Sequence, residues 1–254
     1  VPTFPKHKMR IGILGDIHSN LEALTAVVRA MRAEGVDHWV QVGDIVGYGP
    51  DPCQCLDIVR ELEATVCMGN HDAAVVRLLE TDYFNAYARM AIEWTQTQLR
   101  MRDLAYLRNL PVSVIRRDLD YTVVHGSLHM PEQFGYVLTT VEAIESMRHQ
   151  ETLMCFVGHS HVPAIYVMSD DDPSIRAVTP PFELNTRGAS RILVNVGSVG
   201  QPRDENRDAA YAIWDTDTGE LAIRRSPYDI QRVQDKIRAA GLPSVLADRL
   251  AIGV

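Results

Sequence analysis

The chain has 254 residues, of which 46% are hydrophobic and 23% charged, and its formal net charge at pH 7 is −8. This composition excludes a disordered or fibrous protein and leaves enough apolar material for a sizeable core. The negative charge argues against bulk binding of nucleic acid, because no overall positive field attracts a phosphate backbone. No stretch approaches the roughly 20 apolar residues of a membrane span, so no membrane partner is expected.

The cysteines and the first residues of the chain bear on compartment and domain organisation. Cys53 and Cys55 flank a single residue, a spacing poorly suited to a mutual disulfide, and no C-x-x-C pair is present. Reduced thiols in a cytoplasmic protein are therefore expected. Residues 1–8 are predicted to form a tail, and residues 9–254 a single domain.

Short apolar runs, many of them ending in glycine and polar residues, recur along the chain. In the first half amphipathic segments separate them, which is typical of parallel βαβ units, whereas hairpin signals dominate the second half. The polar stretch 169–187 is interpreted as an excursion or an irregular hairpin. Strands are predicted at 11–14, 39–42, 65–68, 113–116, 121–124, 154–157, 165–167, 192–196, 211–214 and 221–224.

Helix signals lie between these strands. Ser19 with Glu22 forms a predicted capping box for the helix after the first strand, and Thr139 with Glu142 forms a second one. An apolar stripe predicts one long helix at about 87–110. The last helix is placed at 230–240, before Gly241 and Pro243. Strands and helices together predict an α/β fold with two packed mixed β-sheets flanked by helices.

Polar clusters follow five of the predicted strands at their carboxyl ends, where ligands bind in open α/β folds. Five of the nine histidines fall in these clusters, and burying so many imidazoles and carboxylates without a cation would be costly. Mixed carboxylate, amide and imidazole ligands favour Mn, Fe, Zn, Co or Ni over Mg or Ca. The clusters are Asp16-Ile17-His18, Gly43-Asp44, Gly69-Asn70-His71-Asp72, His125-Gly126 and Gly158-His159-Ser160-His161.

In this order the motifs D-x-H, G-D, G-N-H-D, H-G and G-H-S-H resemble the calcineurin-like metallophosphoesterase superfamily. Flanking text at 20–24, 47–52 and 197–204 resembles its compact prokaryotic phosphodiesterase branch. Ser160 and Val196 depart from the common pattern without removing a ligand. The resemblance implies two divalent or transition-metal ions, manganese favoured, whose ligands are Asp16, His18 and His161 for one ion, Asn70, His125 and His159 for the other, and Asp44 for both.

The resemblance also implies a reaction, in which a hydroxide bridging the two metals attacks a phosphodiester or phosphomonoester. His71 follows a ligand but is not needed as one, so it is assigned to the leaving group, as general acid or charge stabiliser. Asp72 is predicted to orient His71 and favour its protonated form. A second reading makes Asp72 the N-cap of a helix at 73–79, and both roles could coexist.

Several alternatives stay open at the level of sequence. Arg203 either meets the substrate phosphate or pairs with Asp204 or Glu205 on the surface. A small phosphate ester or nucleotide is the expected substrate. The alternative functions are a diadenosine polyphosphate hydrolase, a protein phosphatase and a noncatalytic scaffold. The oligomeric state is left open. Aromatic residues after the motifs either stack a nucleobase or pack the core, and they are Tyr48, Tyr83, Phe84, Phe134 and Tyr136.

Overall fold

A computed structural model describes residues 8–169 and 174–254. Nearly all of the predicted tail, residues 1–7, lies outside this range, as do four residues of the polar stretch 169–187. The domain limits of 9 and 254 therefore stay a prediction.

The strands of the described residues form two sheets of six strands each. The first has the spatial order β3-β2-β1-β11-β12-β9 and the second β4-β5-β6-β10-β7-β8. In chain order the strands are β1 (Arg10–Leu14), β2 (His38–Gln41), β3 (Thr65–Val66), β4 (Ser113–Arg116), β5 (Tyr121–Val124), β6 (Met154–Val157), β7 (Ala164–Met168), β8 (Ile175–Val178), β9 (Glu183–Asn185), β10 (Arg191–Asn195), β11 (Ala209–Asp215) and β12 (Glu220–Ser226).

Both sheets are mixed. In the first, β1 runs parallel to β2 and antiparallel to β11. In the second, β10 runs parallel to β6 and antiparallel to β7. The strands predicted at 113–116 and 121–124 are present as β4 and β5, which form an antiparallel pair with Ser113 opposite Val124. The α-helices are α1 (Leu21–Ala33), α2 (Pro52–Glu61), α3 (Asn70–Val75), α4 (Ala86–Gln98), α5 (Met101–Arg108), α6 (Thr140–Arg148), α7 (Ile230–Ala239) and α8 (Ser244–Asp248).

The two sheets pack face to face, and helices cover their outer faces. Strand β11 illustrates the arrangement, because side chains of a strand alternate between its two faces. Ala212 and Trp214 enter the apolar layer between the sheets, whereas Tyr211 and Ile213 join the core under the helices. Met147 of α6 packs on the outer face of the second sheet. The predicted class, two packed mixed sheets flanked by helices, is confirmed.

No helix of the described residues is long and apolar enough to cross a membrane. The four cysteines are free, and three of them are buried in the core.

The first predicted helix cap is wrong. Helix α1 is capped by Asn20, whose side-chain oxygen accepts the Ala23 N–H at 3.1 Å. The amide of Asn20 also donates to the Gly200 carbonyl at 2.9 Å. Ser19 lies one residue too early, and its buried hydroxyl has no partner within the described residues. The second predicted box is confirmed, since Thr139 and Glu142 cap α6 reciprocally.

The long helix predicted at 87–110 is two helices, α4 and α5. The chain is extended at Leu99 and Arg100, and the Arg100 N–H donates to the Asp103 carboxylate at 3.1 Å. The Arg100 guanidinium also binds Asp57 of α2 at 2.9 Å. These contacts to a buried carboxylate and to another helix stabilise the break, which the apolar stripe does not reveal.

Two further predictions can be compared with the structure. Of the two alternatives for the stretch 169–187, its described part favours the excursion, because β8 pairs with β7 of one sheet and β9 pairs with β12 of the other. The helix at 230–240 is present as α7 but is not the last one. The short helix α8 follows it after Pro243.

The corrected cap gives a first prediction. Asn20→Ala removes an N-cap and leaves the Gly200 carbonyl unpaired, so the free energy of unfolding should fall by about 2 kcal/mol. Ser19→Ala removes only an unpaired hydroxyl and should leave it unchanged within about 0.5 kcal/mol, or raise it. Urea unfolding of metal-free protein measures both. An equal loss of unfolding free energy in the two variants would support the predicted cap at Ser19.

Candidate metal centre

The carboxyl ends of five strands from both sheets meet at one point of the molecule. Strands β1, β2 and β3 of the first sheet lead to Asp16, His18, Asp44 and Asn70. Strands β5 and β6 of the second lead to the other three predicted ligands, which are His125, His159 and His161. All seven residues converge there, and all except the partly exposed Asn70 are buried.

One half of the cluster contains Asp16, His18 and His161. The Nε2 atoms of His18 and His161 face each other at 3.1 Å. Asp16 Oδ1 lies 3.7 Å from His161 Nε2. These are the three residues predicted to share one metal.

The other half contains Asn70, His125 and His159. His125 Nε2 lies 3.0 Å from Asn70 Oδ1 and 3.1 Å from His159 Nδ1. The carboxylate of Asp44 lies between the halves, since its Oδ2 is 3.5 Å from His18 Nε2 and 3.3 Å from His125 Nε2. The grouping matches the two predicted triads and the predicted position of Asp44.

Backbone carbonyls orient three of the imidazoles. His18 Nδ1 donates to Val46 O at 3.0 Å, His125 Nδ1 donates to Val42 O at 2.8 Å, and His161 Nδ1 donates to Gln201 O at 2.6 Å. A neutral imidazole with its proton on Nδ1 directs the lone pair of Nε2 the other way, here into the cluster. Lone pairs facing each other at 3.1 Å repel unless a cation lies between them. The donor set therefore fits metal ions.

Burial and the two carboxylates set the protonation of the cluster. Burial lowers the pKa of His18, His159 and His161 well below the ordinary value, which favours the neutral form that binds metals. Burial alone would raise the pKa of Asp44, but His125 and other imidazoles lower it well below its usual range. Asp44 therefore stays a carboxylate.

The pKa values of Asp16 and His125 shift upwards, unlike those of the other ionisable residues among the predicted ligands. Burial raises the pKa of Asp16 to about 7, against the attraction of His125, which lowers it. Burial opposes the charged form of His125, but Asp44 and Asp16 raise its pKa to about 9. Two buried carboxylates thus favour the protonated form of the His125 imidazole. A bound metal cation would supply the positive charge that this proton supplies.

The backbone is left-handed at four of the predicted ligands. The φ angles are 46° at His18, 54° at Asp44, 66° at His159 and 62° at His161. Such angles cost a non-glycine residue about 1–3 kcal/mol and persist where the surrounding structure enforces them. The His18 N–H donates to Asp44 O at 3.0 Å, and the His159 N–H donates to Asp16 Oδ1 at 3.0 Å, so hydrogen bonds between the motifs hold these angles.

The predicted contact between Asp72 and His71 is wrong. The Asp72 carboxylate accepts the backbone N–H groups of Gly69 at 3.1 Å, Ile45 at 3.3 Å and Val46 at 3.2 Å, all of which turn it away from the imidazole. It is the third residue of α3, which begins at Asn70, so the predicted helix start at 73 is also wrong. Asp72 therefore ties the turn after β2 to the turn after β3.

His71 belongs to neither predicted triad, although one of its ring nitrogens lies within 4.8 Å of ligand atoms of His18 and Asp44. Its backbone N–H donates to Asp44 Oδ1 at 2.8 Å, and its ring packs against Tyr48 and Phe84 at centroid distances of 4.4 and 5.0 Å. The buried Nδ1 has no partner among the described residues, which leaves Nε2 as the nitrogen able to meet a substrate. Burial lowers the pKa of His71 to about 4, although Asp44 raises it.

A cavity of about 600 Å³ opens over the cluster. Asp44, Asn70 and His71 line its floor, and the five aromatic residues left open by the sequence line its walls. Tyr136 stacks on His159 at 3.9 Å with nearly parallel rings, while Tyr83 is 93% exposed at the rim. The aromatic side chains thus both pack the site and face the space above it.

Arg203 also lines this cavity. Its Nη2 donates to Gln201 Oε1 at 2.9 Å, and its guanidinium lies 5.8 Å from the centre of the Tyr48 ring. Asp204 pairs with Arg225 instead, and no ion pair joins Arg203 to Asp204 or Glu205 in the described part of the chain. The surface ion pair left open by the sequence is therefore not formed.

Two glycines of the motifs leave room for the carboxylates. A Cβ on Gly69 would collide with Asp44 Oδ1 and with the Asp44 backbone nitrogen. A Cβ on Gly158 would lie 2.6 Å from Asp16 Oδ2. The glycines in G-N-H-D and G-H-S-H are thus required by close approach to a carboxylate of another motif.

Comparison with known proteins identifies the family. The calcineurin-like phosphoesterase superfamily domain matches residues 9–219. An uncharacterized protein of Methanocaldococcus jannaschii is 34% identical over 248 residues, covering 97% of this chain and 99% of that protein. The chain therefore belongs to the calcineurin-like phosphoesterase superfamily, which is metal-dependent.

Solved structures agree with this assignment. A metallophosphoesterase from Sphaerobacter thermophilus has a TM-score of 0.84 and 40% identity, covering 98% of this chain and all of that chain. A hypothetical protein from Pyrococcus horikoshii OT3 shares the fold, with a TM-score of 0.76 and 21% identity over 96% of this chain and 98% of its own.

The close approach of Gly69 to Asp44 gives a second prediction. Gly69→Ala should push the Asp44 carboxylate out of the cluster and weaken metal binding by at least about tenfold, as loss of a supporting contact does. Competition with a chromophoric chelator measures the affinity. Gly135→Ala is the matched control, because its Cβ would meet only Ser127 Cβ at 3.8 Å, an ordinary contact. Unchanged affinity in Gly69→Ala would contradict the steric role.

Proposed function

We propose that this protein is a phosphoesterase that uses two metal ions to hydrolyse phosphodiester or phosphomonoester bonds of a small phosphate ester or nucleotide. One observation carries the proposal. The buried Asp44 carboxylate lies between two groups of inward-facing ligand atoms, 3.5 Å from His18 Nε2 and 3.3 Å from His125 Nε2. A carboxylate shared in this way suits a pair of cations better than a single one.

In this proposal Asp16, His18 and His161 hold one cation, Asn70, His125 and His159 hold the other, and Asp44 holds both. When bound, the pair lowers the pKa of a water and neutralises charge on the phosphoryl group. The mixture of oxygen and nitrogen donors favours Mn, Fe, Zn, Co or Ni over Mg or Ca, and among these we favour manganese on the family resemblance.

Arg203 and the amide of Asn70 orient the substrate phosphate. Arg203 lines the cavity without a carboxylate partner, and its buried Nε has no hydrogen-bond partner in the described residues. A guanidinium with unused donors suits the planar recognition of phosphate oxygens. The amide nitrogen of Asn70 can donate to the same phosphate while its oxygen faces His125.

His71 acts on the leaving group. His71 lines the cavity, and its ring is held by Tyr48, Phe84 and the hydrogen bond from its backbone to Asp44. The imidazolium form of His71 can donate a proton to the departing oxygen, whose charge grows as the phosphorus–oxygen bond breaks, once a bound anionic phosphate has raised the low pKa of the ring. The orientation comes from packing rather than from a contact with Asp72.

The cavity supports a substrate larger than inorganic phosphate. Its volume of about 600 Å³ and its aromatic walls, including Tyr83 and Tyr136, offer room and stacking surface for a nucleoside. A diadenosine polyphosphate hydrolase or a protein phosphatase would use the same metal ligands. Rates on a nitrophenyl monoester, a bis-nitrophenyl diester, a diadenosine polyphosphate and a phosphopeptide, each with Mn²⁺, separate these substrates.

The bridging role of Asp44 gives a third prediction. Asp44→Ala should lower kcat/KM more than any other single ligand change, by about 10³-fold or more, because both cations lose a shared ligand. His161→Ala is the matched comparison, since it removes a ligand from one triad only. Metal content and rates on the activated diester are measured together. Native metal content with retained turnover in Asp44→Ala would refute the bridging role, and wild-type protein that holds two metals without hydrolysis would indicate a scaffold.

The position of His71 gives a fourth prediction. His71→Ala should keep its metals and lose about 10²-fold more rate on an alkyl ester than on a nitrophenyl ester, because a poor leaving group needs the proton more. Asp72→Asn is the control, and should lower stability without changing this ratio. Equal losses of His71→Ala on the two esters would exclude the acid role. A changed ratio in Asp72→Asn would restore the predicted coupling to His71.

A further inference from the structure

A second group of ligand-type side chains lies outside the central cluster and outside the lining of its cavity. It consists of His129 in the segment after β5, Glu145 on α6 and His149 directly after α6. Their side chains are 45%, 40% and 49% exposed, so ions in solution can reach them. None of the three has a role in the proposed hydrolysis.

The three ligand atoms form a nearly equilateral triangle. His129 Nδ1 lies 3.3 Å from His149 Nε2 and 3.6 Å from Glu145 Oε1, and His149 Nε2 lies 3.8 Å from the same oxygen. A point equidistant from three atoms so spaced lies about 2.1 Å from each, which matches zinc–imidazole and zinc–carboxylate bonds. The triangle therefore has the size of one face of a tetrahedral metal site.

The fold fixes this triangle through contacts that do not involve the ligand atoms. Glu145 and His149 are one helical turn apart and project from the same face of α6. The Leu128 N–H donates to Ser146 Oγ at 3.0 Å, which places the residue before His129 directly against that helix. The His129 N–H donates to Ser127 Oγ at 3.1 Å, so the backbone is set before any ion binds.

The charges around the triangle also suit a cation. Arg148 binds Glu145 Oε2 at 2.6 Å, which leaves Oε1 directed at the two imidazoles. Two imidazole nitrogens at 3.3 Å need a proton or a cation between them, because two lone pairs repel. Two imidazoles and one carboxylate are ligands for zinc-class ions, whereas Mg²⁺ and Ca²⁺ require oxygen ligands.

We propose that His129, Glu145 and His149 bind a third cation of the zinc class, with water completing its coordination, independently of the central pair. The ion would join the segment between β5 and α6 to the end of that helix. This segment begins at the central ligand His125 and includes Phe134 and Tyr136 of the cavity wall. Binding would therefore brace one wall of the cavity from outside.

The test compares zinc content in matched variants. Wild type, His149→Gln and Glu151→Gln are each titrated with Zn²⁺, and bound zinc per chain is counted after equilibrium dialysis. Wild type should bind one zinc more than His149→Gln. A further variant titrated in the same way, Glu145→Gln, should bind that zinc at least about tenfold more weakly. Glu151→Gln is the control for Glu145→Gln: it also removes a negative charge, two residues beyond His149, and its zinc content should match that of wild type.

The result is independent of the central site. If the central cluster holds no metal, wild type binds one zinc and His149→Gln none, so the difference of one persists while the proposed hydrolysis fails. Equal zinc content of wild type and His149→Gln throughout the titration would overturn the third site and leave a proton shared between the two imidazoles. A loss of the same zinc in Glu151→Gln would overturn the assignment of ligands.

Discussion

The structure depends on the burial of the Asp44 carboxylate among imidazoles that come from both sheets. A buried charge is tolerated only when it is paired and hydrogen-bonded, and here His18 of one sheet and His125 of the other face the same oxygen. The sheets must therefore meet at the carboxyl ends of their strands. The apolar layer between them, which includes Trp214 and Phe156, brings those ends together, and the polar cluster then fixes their register.

Much of this arrangement could be predicted from the sequence because strand ends are marked locally. An apolar run followed by glycine and a ligand residue places that residue at the edge of a sheet, and the structure brings all seven predicted residues into one cluster. The capping of α1, the break after α4 and the role of Asp72 could not be predicted in the same way. Each depends on a partner distant in sequence: Gly200 for Asn20, Asp57 for Arg100, and the turn after β2 for Asp72.

The left-handed backbone at four of the ligands has only a weak local sequence signal, since histidine and aspartate adopt it more often than most non-glycine residues but still uncommonly. The supporting hydrogen bonds explain it. Asp16 accepts the N–H of His159 from the opposite sheet, and carbonyls at Val42, Val46 and Gln201 fix the ring tautomers. These carbonyls belong to the backbone, which is the same in every residue, so the side chains in the sequence do not reveal their role. Glycines such as Gly43, Gly69 and Gly158 carry the sequence trace of how closely the motifs approach one another.

Because the ligands come from two sheets, metal binding would affect the amount of folded protein as well as its chemistry. Cations held by Asp16, Asp44 and His125 would cross-link the sheets, and the unfolded chain offers no such site. Mass action then ties folding to metal supply: each tenfold rise in free metal above the dissociation constant adds about 1.4 kcal/mol of stability per site. Scarcity of metal would thus reduce the folded population itself, and proteolysis would remove the chain when it could not work.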